Sequence, residues 1–365
     1  MLILTIPREY FQTSQYLFVS TAIGLICAFV AMSKNNKQLL KGTTNIILPF
    51  VLTIFLIFYI GRRPITCYGD TWLYTMMFNM VQTGEWHALP SSTDAFWLWF
   101  HNIFVDLGSA SDWLLGVASF YIGGMALATY RWLPQHFFVG LMFCFTSFSF
   151  YAFATNGIRA GMATSMAMVA ISLINIYKKE WSSNIIALAL LIMAYKTHSS
   201  LAITIASALI AFFLKDSKLA FKIWLICLVL GFLFNSTFQS LFSWVSANEK
   251  MAHYASMIDV QYNKMYFRWD FIVYSALPIV LGYITTIKKK ITDGKYTFLL
   301  NTYIIANSFW LLINEIAYSN RYAYLSWFLY PIVVAYPLCK FEIFKNQGQI
   351  TGMILIGLMT LTIIL

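Results

Sequence analysis

Four polar clusters interrupt a chain that is otherwise strongly apolar, and each holds a side chain able to bind an anion or carry a proton. Gly61-Arg62-Arg63-Pro64 is followed by Tyr68-Gly69-Asp70-Thr71 and Tyr74. Thr155-Asn156-Gly157-Ile158-Arg159-Ala160-Gly161 comes second, Tyr195-Lys196-Thr197-His198-Ser199-Ser200 third, and Asn314-Glu315 with Ser319-Asn320-Arg321-Tyr322 fourth. A guanidinium can grip a phosphate with two parallel hydrogen bonds. Arg62, Arg63, Arg159 and Arg321 are therefore candidate anion ligands, with Asn156 beside Arg159. Asp70, Glu315 and His198, in falling order, are candidates for taking a proton from an attacking hydroxyl.

Arg159 makes the sharpest case. Asn156-Gly157 is a turn signal, which puts Arg159 in the first turn of the next helix. A cation is disfavoured at a helix N-terminus, and burial in lipid adds to the cost. An arginine kept there needs an anionic partner, and a phosphate would also meet the free N–H groups of the helix end. The plainer alternatives are snorkelling to the interface and an internal salt bridge. The other clusters have plain alternatives too. Asp70 fits a helix N-cap, and Arg62/Arg63 a helix exit. His198 fits a polar hairpin in water, and Glu315 and Arg321 could pair with each other. Arg268 and Asp270 could pair likewise, and Asp94 could be only the N-cap of the segment it opens. His87, His101 and His253 are isolated. No metal motif, P-loop, Gly-x-Ser-x-Gly or Gly-rich nucleotide loop is present, so no cofactor or metal is expected.

The elements that must position these residues are membrane helices. Sixty per cent of residues are hydrophobic and 10 per cent charged, with a mean hydropathy of +0.69. These values exclude an ordinary soluble domain. Apolar runs recur from end to end, each near the ~20 residues that a helix needs to cross hydrocarbon. The expected spans are 16–32, 45–60, 112–129, 136–153, 158–176, 184–195, 199–214, 221–238, 269–287, 296–313, 322–339 and 350–365. The 184–195 run is short enough to be tilted, broken or re-entrant. Residues 71–81 and 95–107 are apolar but too short to span. The expected fold is all-α: a polytopic integral membrane bundle of about 12–14 transmembrane helices. It forms a single transmembrane domain over 1–365, with interfacial or re-entrant helices in an outer segment, 61–111, and an aromatic-rich outer loop at 239–268. Cleavage signals, disulfide frameworks and zinc spacings are absent from the sequence. The net charge of +10 comes from scattered short loops rather than a basic stripe, which argues against nucleic acid.

Keeping 61–111 on one side separates the basic residues. Fifteen of the 24, nearly all lysine, fall on one face. The other face keeps Arg8, Arg62, Arg63, Arg159, Lys196, Lys250, Lys264, Arg268 and Arg321. The lysine-rich face is expected to be cytoplasmic; letting only one of the two short segments cross would erase the bias, whereas keeping both out or letting both cross as a pair preserves it. Six of the seven arginines then lie outside.

In order and rough spacing, Arg63…Gly69-Asp70…Tyr74, Asn156-Gly157-Ile158-Arg159 with Ala163, His198-Ser199-Ser200 and Arg321-Tyr322 resemble the EpsG family, which is grouped with Wzy-type O-antigen and capsule polymerases. The resemblance runs from Gly61 to about Tyr336. The family often has Glu where Asp94 stands and Gln where Ala160 stands. It implies polymerisation of a surface polysaccharide at the periplasmic face of the bacterial cytoplasmic (inner) membrane. A growing glycan on undecaprenyl pyrophosphate would be transferred to the non-reducing end of a new lipid-linked repeat, with no nucleotide sugar or metal. The implied partners are undecaprenyl-pyrophosphate-linked oligosaccharides, the bilayer and a chain-length regulator. The residues fit this chemistry independently, because a leaving diphosphate gains charge and calls for fixed cations. An O-antigen ligase would share these features. A flippase or transporter would instead place its charges along a mid-membrane cavity, and a membrane O-acyltransferase would use His198 but leave the arginines unexplained.

Overall fold

The computed structural model describes residues 44–67, 69–85, 94–174, 181–241, 267–315 and 319–364. The expected span at 16–32 and most of the 239–268 loop lie outside the described residues. The described residues are helical and include no strand, so the chain is a polytopic helical membrane protein. It divides into two compact units, 1–201 with 335–365 and 202–334.

In the first unit the helices are α1 (Thr44–Gly61), α2 (Gly69–Gln82), α3 (Ala95–Leu107), α4 (Ala110–Trp132), α5 (Phe137–Thr146), α6 (Phe148–Thr155), α7 (Ile158–Leu173) and α8 (Trp181–Thr197). The second unit holds α9 (Ala202–Phe213), α10 (Ser217–Leu241), α11 (Trp269–Tyr283), α12 (Gly294–Leu312) and α13 (Ser319–Trp327). Helix α14 (Tyr330–Lys340) passes from the second unit into the first, where α15 (Gln347–Ile364) ends the chain.

Among the described residues four stretches are long and apolar enough to cross a membrane: 110–132, 217–238, 269–288 and 319–340. A fifth is the pair α5 and α6, bent by 70°. Helices α1 and α7 and residues 199–213 are apolar but shorter. Among the described residues this is fewer full-length spans than the 12–14 expected, because one apolar run is bent and other apolar helices are shorter than a span. The 136–153 run breaks at Ser147, whose extended backbone (φ −75°, ψ 140°) ends α5. A break inside a membrane is tolerated where protein satisfies the freed backbone. Here Thr362 of α15 donates its hydroxyl to the Thr146 carbonyl (2.9 Å), and Ser147 donates to Cys144 O (2.7 Å). Exposed Ile46, Phe50 and Phe58 on α1 and Ile185, Leu188 and Ile192 on α8 are the kind of surface that suits lipid.

The first unit has a defined direction. Helices α4 and α7 run parallel: Ser165 donates to Phe120 O (3.1 Å), and Arg131 Nε donates to Ser172 Oγ (3.0 Å) near both C-termini. Helix α1 runs against α4. The Asn45 side chain binds Pro134 O and the Phe138 N–H beyond the end of α4, while Arg62 meets the α4 start. The α1–α4 approach is close at Gly61, where a Cβ would lie 2.7 Å from the Leu115 Cα. Helix α8 packs along α7 and joins it through residues 174–180. It therefore returns antiparallel, bringing Thr197 and His198 to the end where α7 begins. Arg62, Arg63 and Arg159 share that end, and Arg131 lies at the other.

The second unit repeats the segregation. Helices α10 and α12 run parallel, with Trp224 Nε1 donating to Asn307 Oδ1 (2.8 Å). They nearly touch at Gly231, where a Cβ would lie 2.2 Å from Leu311 O. Asn301 Nδ2 donates to Leu214 O near the lysine-bearing turns, whereas Arg268 N donates to Asn314 Oδ1 (2.6 Å) at the opposite end.

Candidate functional site

The site of the first unit is built on the elbow between α6 and α7. An eight-residue helix stops at Thr155, the chain turns through Asn156-Gly157, and α7 starts. The α6 carbonyl end carries partial negative charge and the α7 amide end partial positive charge. Arg63 serves the first. Its Nη1 donates to Ile60 O (2.9 Å), Nε and Nη2 donate to Thr71 Oγ1 (3.2 and 3.0 Å), and Nη2 reaches Thr155 O at 3.5 Å. Thr71 itself donates to Thr155 O (2.7 Å). A single buried guanidinium thus joins the ends of α1 and α6 to the start of α2.

The amide end of α7 is met by Arg159 and Asp94. Gly157 precedes α7 without a side-chain cap. Arg159 sits in the first turn and donates from Nη1 to Asp94 Oδ2 at 2.6 Å, both side chains about one-fifth exposed (22% and 19%). Arg159 Nε is buried with no acceptor, an arrangement that costs about 1–3 kcal/mol for a lost hydrogen bond.

Asp94 reaches this point because α2 and α3 lie side by side and run the same way. Tyr74 packs on Trp97 (5.9 Å between ring centroids), Phe78 on His101 (5.1 Å), and Gln82 Nε2 donates to Val105 O (3.2 Å), each pair offset by 23 residues. Asp70 and Asp94 consequently open parallel helices at one level. Trp113 of α4 fixes the pair, touching Tyr74, Phe78, Trp97 and His101 with centroids 5.4–6.3 Å away. Burial among these rings lowers the His101 pKa, and a side-chain contact to Asn102 partly opposes the shift.

Arg62 Nη1 donates to Asp112 Oδ1 (2.8 Å) and Ser111 Oγ (3.1 Å). Asp112 also closes a capping box with Ser109. The chain that leaves α1 is thereby tied to the beginning of α4, so 61–111 starts and finishes at one end of the bundle. At 14 and 13 residues, α2 and α3 are too short to span.

These placements revise several expectations. Arg63 was expected to bind a diphosphate, but at 1% exposure it has no face to offer a ligand and joins three helix ends instead. Arg62 was expected in the same role and is held by Asp112. Arg159 does form the internal salt bridge weighed as its alternative, yet keeps solvent access and an unused donor. Asp94, which could have been only the N-cap of α3, makes no cap hydrogen bond and goes to Arg159. Asp70 is half-buried in the first turn of α2, and Asn156 is exposed at the elbow. His198 is half-buried just beyond α8, accepting at Nδ1 from the Ser200 N–H (3.4 Å). Thr71 and Asp112 were not expected at the site. Their signal was only adjacency to a cap and to a helix start.

Glu315 and Arg321 belong to the second unit. Glu315 is half-buried and its N–H donates to Asn235 Oδ1 (3.4 Å), while Arg321 is exposed in the first turn of α13. Arg268 and Asp270 do pair with each other, through two contacts of 2.9 and 2.6 Å. A groove of about 260 Å³ lies along α2, lined by residues including Ile65, Trp72, Asn79 and Glu85. None of the candidate residues lines it. Among the described residues no group of three or more His, Cys, Asp or Glu could hold a metal ion.

An all-helical bundle with apolar stretches long enough to cross a bilayer defines a polytopic membrane protein. The model of the EpsG family matches residues 45–365, and the chain belongs to that family of Wzy-like polysaccharide polymerases. No curated protein and no solved structure matches it.

Proposed function

We propose that the protein is a metal-independent glycosyltransferase that polymerises lipid-linked oligosaccharide repeats into O-antigen, capsule or exopolysaccharide. The glycan leaves undecaprenyl pyrophosphate for the non-reducing end of a new lipid-linked repeat, at the periplasmic face of the inner membrane. The observation that carries this reading is Arg159, a partly exposed guanidinium at an uncapped helix start with one donor unused. A diphosphate oxygen would meet the exposed part of that side chain and the α7 amides together. As the C1–O bond breaks, the departing diphosphate gains charge, and a fixed cation there lowers the barrier. Arg62 and Arg63 act on this site indirectly, by holding the ends of α1, α2, α4 and α6. Asp70 and His198 remain candidate proton acceptors of the first unit. Glu315 and Arg321 remain candidates in the second.

The test is Arg159→Ala in cells. Long polysaccharide should disappear while single repeats remain at the surface and protein level is unchanged, a loss of about 10²–10³ in rate. Normal chain length would reject the role. Loss of every surface repeat would point to transport or ligation instead.

A further inference from the structure

The geometry points to Asp94 as the base of the transfer reaction, held on Arg159 until a lipid diphosphate displaces it. This inference rests on the proposed polymerase reading and adds the proton acceptor that the reading leaves open. Three observations support it. Asp94 occupies an N-cap position yet makes no cap hydrogen bond, so its carboxylate is not committed to α3. It instead lies 2.6 Å from the guanidinium assigned to the diphosphate. Arg159 Nε, buried without an acceptor, shows that Asp94 fills only part of the guanidinium's capacity. A ligand with several anionic oxygens satisfies that arginine more fully than one carboxylate oxygen can. Asp112, by contrast, is occupied by Arg62 and Ser109.

The sequence of events follows from charge. The diphosphate takes Arg159, and Asp94 is released beside the reacting centre. The acceptor hydroxyl oxygen forms its bond to the anomeric carbon of the donor glycan. The bond from that carbon to the diphosphate oxygen breaks, and its electron pair leaves with the diphosphate. The hydroxyl proton passes to the Asp94 carboxylate and from there to solvent. Electrostatic competition makes the base available only when the donor is seated, which keeps an unpaired carboxylate from repelling the incoming diphosphate.

The experiment uses the full-length protein in lipid nanodiscs with undecaprenyl diphosphate as the binding probe. Surface polymer in cells carrying the same variants reports turnover, normalised to protein level. Asp94→Asn should bind the probe as well as wild type or up to about tenfold more tightly, while polymer falls by about 10²-fold or more. Asp94→Glu, which keeps the carboxylate, should recover part of the polymer. Arg159→Ala should lose probe binding. Normal polymer from Asp94→Asn overturns the assignment, and so does a joint loss of probe binding and thermal stability, which would make Asp94 a structural strap. Failure of the broader reading looks different. Wild type would not bind the probe, or Arg159→Ala would keep binding it, and the Asp94 role would fall as well.

Discussion

The guanidiniums of Arg63 and Arg159 are separated by one helix elbow and face opposite tasks. Arg63 is sealed against carbonyls at two helix C-termini, where positive charge is favoured, and against the Thr71 hydroxyl at the start of α2. Truncation to Ala leaves those groups unmet and opens a void. We expect Arg63→Ala to lower stability by about 3 kcal/mol, read as a fall in unfolding temperature in detergent. Arg63→Lys should rescue only part, because an ammonium cannot hold the same fork of partners. A second residue-scale effect concerns His101. Its folded pKa lies below the unfolded value of about 6.5, so the unfolded chain binds the extra proton. Stability should therefore be full above that pH and decline as pH falls through it. The unfolding temperature should drop between about pH 7 and pH 5, and His101→Phe should flatten the drop. The arginines' residue types and helix-terminal positions were legible in the sequence. Their partners were not, because Thr71, Asp94 and Asp112 reach them only through packing of elements distant in the chain. Asp94 was hidden further by looking like an ordinary cap.

At the scale of elements, hydropathy located nearly every helix among the described residues within a few positions. It did not locate the breaks. Ser147, between α5 and α6, lies in a run whose composition reads as continuous, and the bend is permitted by Thr362, more than 200 positions away in sequence. The parallel pairing of α2 and α3 was equally invisible, since amphipathic periodicity shows which face is buried but not against which neighbour. Close helix approach gives a further prediction. At Gly231 an added methyl group meets the Leu311 carbonyl at 2.2 Å, and backbone cannot swing aside as a side chain can. Gly231→Ala should destabilise the protein by about 1–3 kcal/mol, and Gly123→Ala, with nothing within 4 Å, should not. Thermal unfolding of the two variants side by side separates the effect from a general helix-propensity change.

For the whole molecule, the segregation of basic residues read from the sequence reappears inside each unit. In the first, Arg62, Arg63 and Arg159 oppose Arg131, and in the second, Arg268 opposes the lysine-bearing turns. The physical basis is that helix direction alternates with the chain, so a charge bias between loops becomes a bias between ends of a bundle. The proposed orientation, with the arginine end outside, rests on the lysine bias and is testable at Cys67, a partly exposed thiol beyond α1 on the arginine side. A membrane-impermeant maleimide should label a variant retaining Cys67 alone from outside intact spheroplasts. Labelling only after lysis would reverse the proposed orientation.

The Arg62–Asp112 tie has an evolutionary corollary. Residues 63–111 form a cassette whose two seams touch, so its contents can be exchanged without re-threading the helices downstream. A chimera carrying a relative's cassette, with Arg63, Thr71 and Asp94 retained, should keep the insertion polarity of everything that follows.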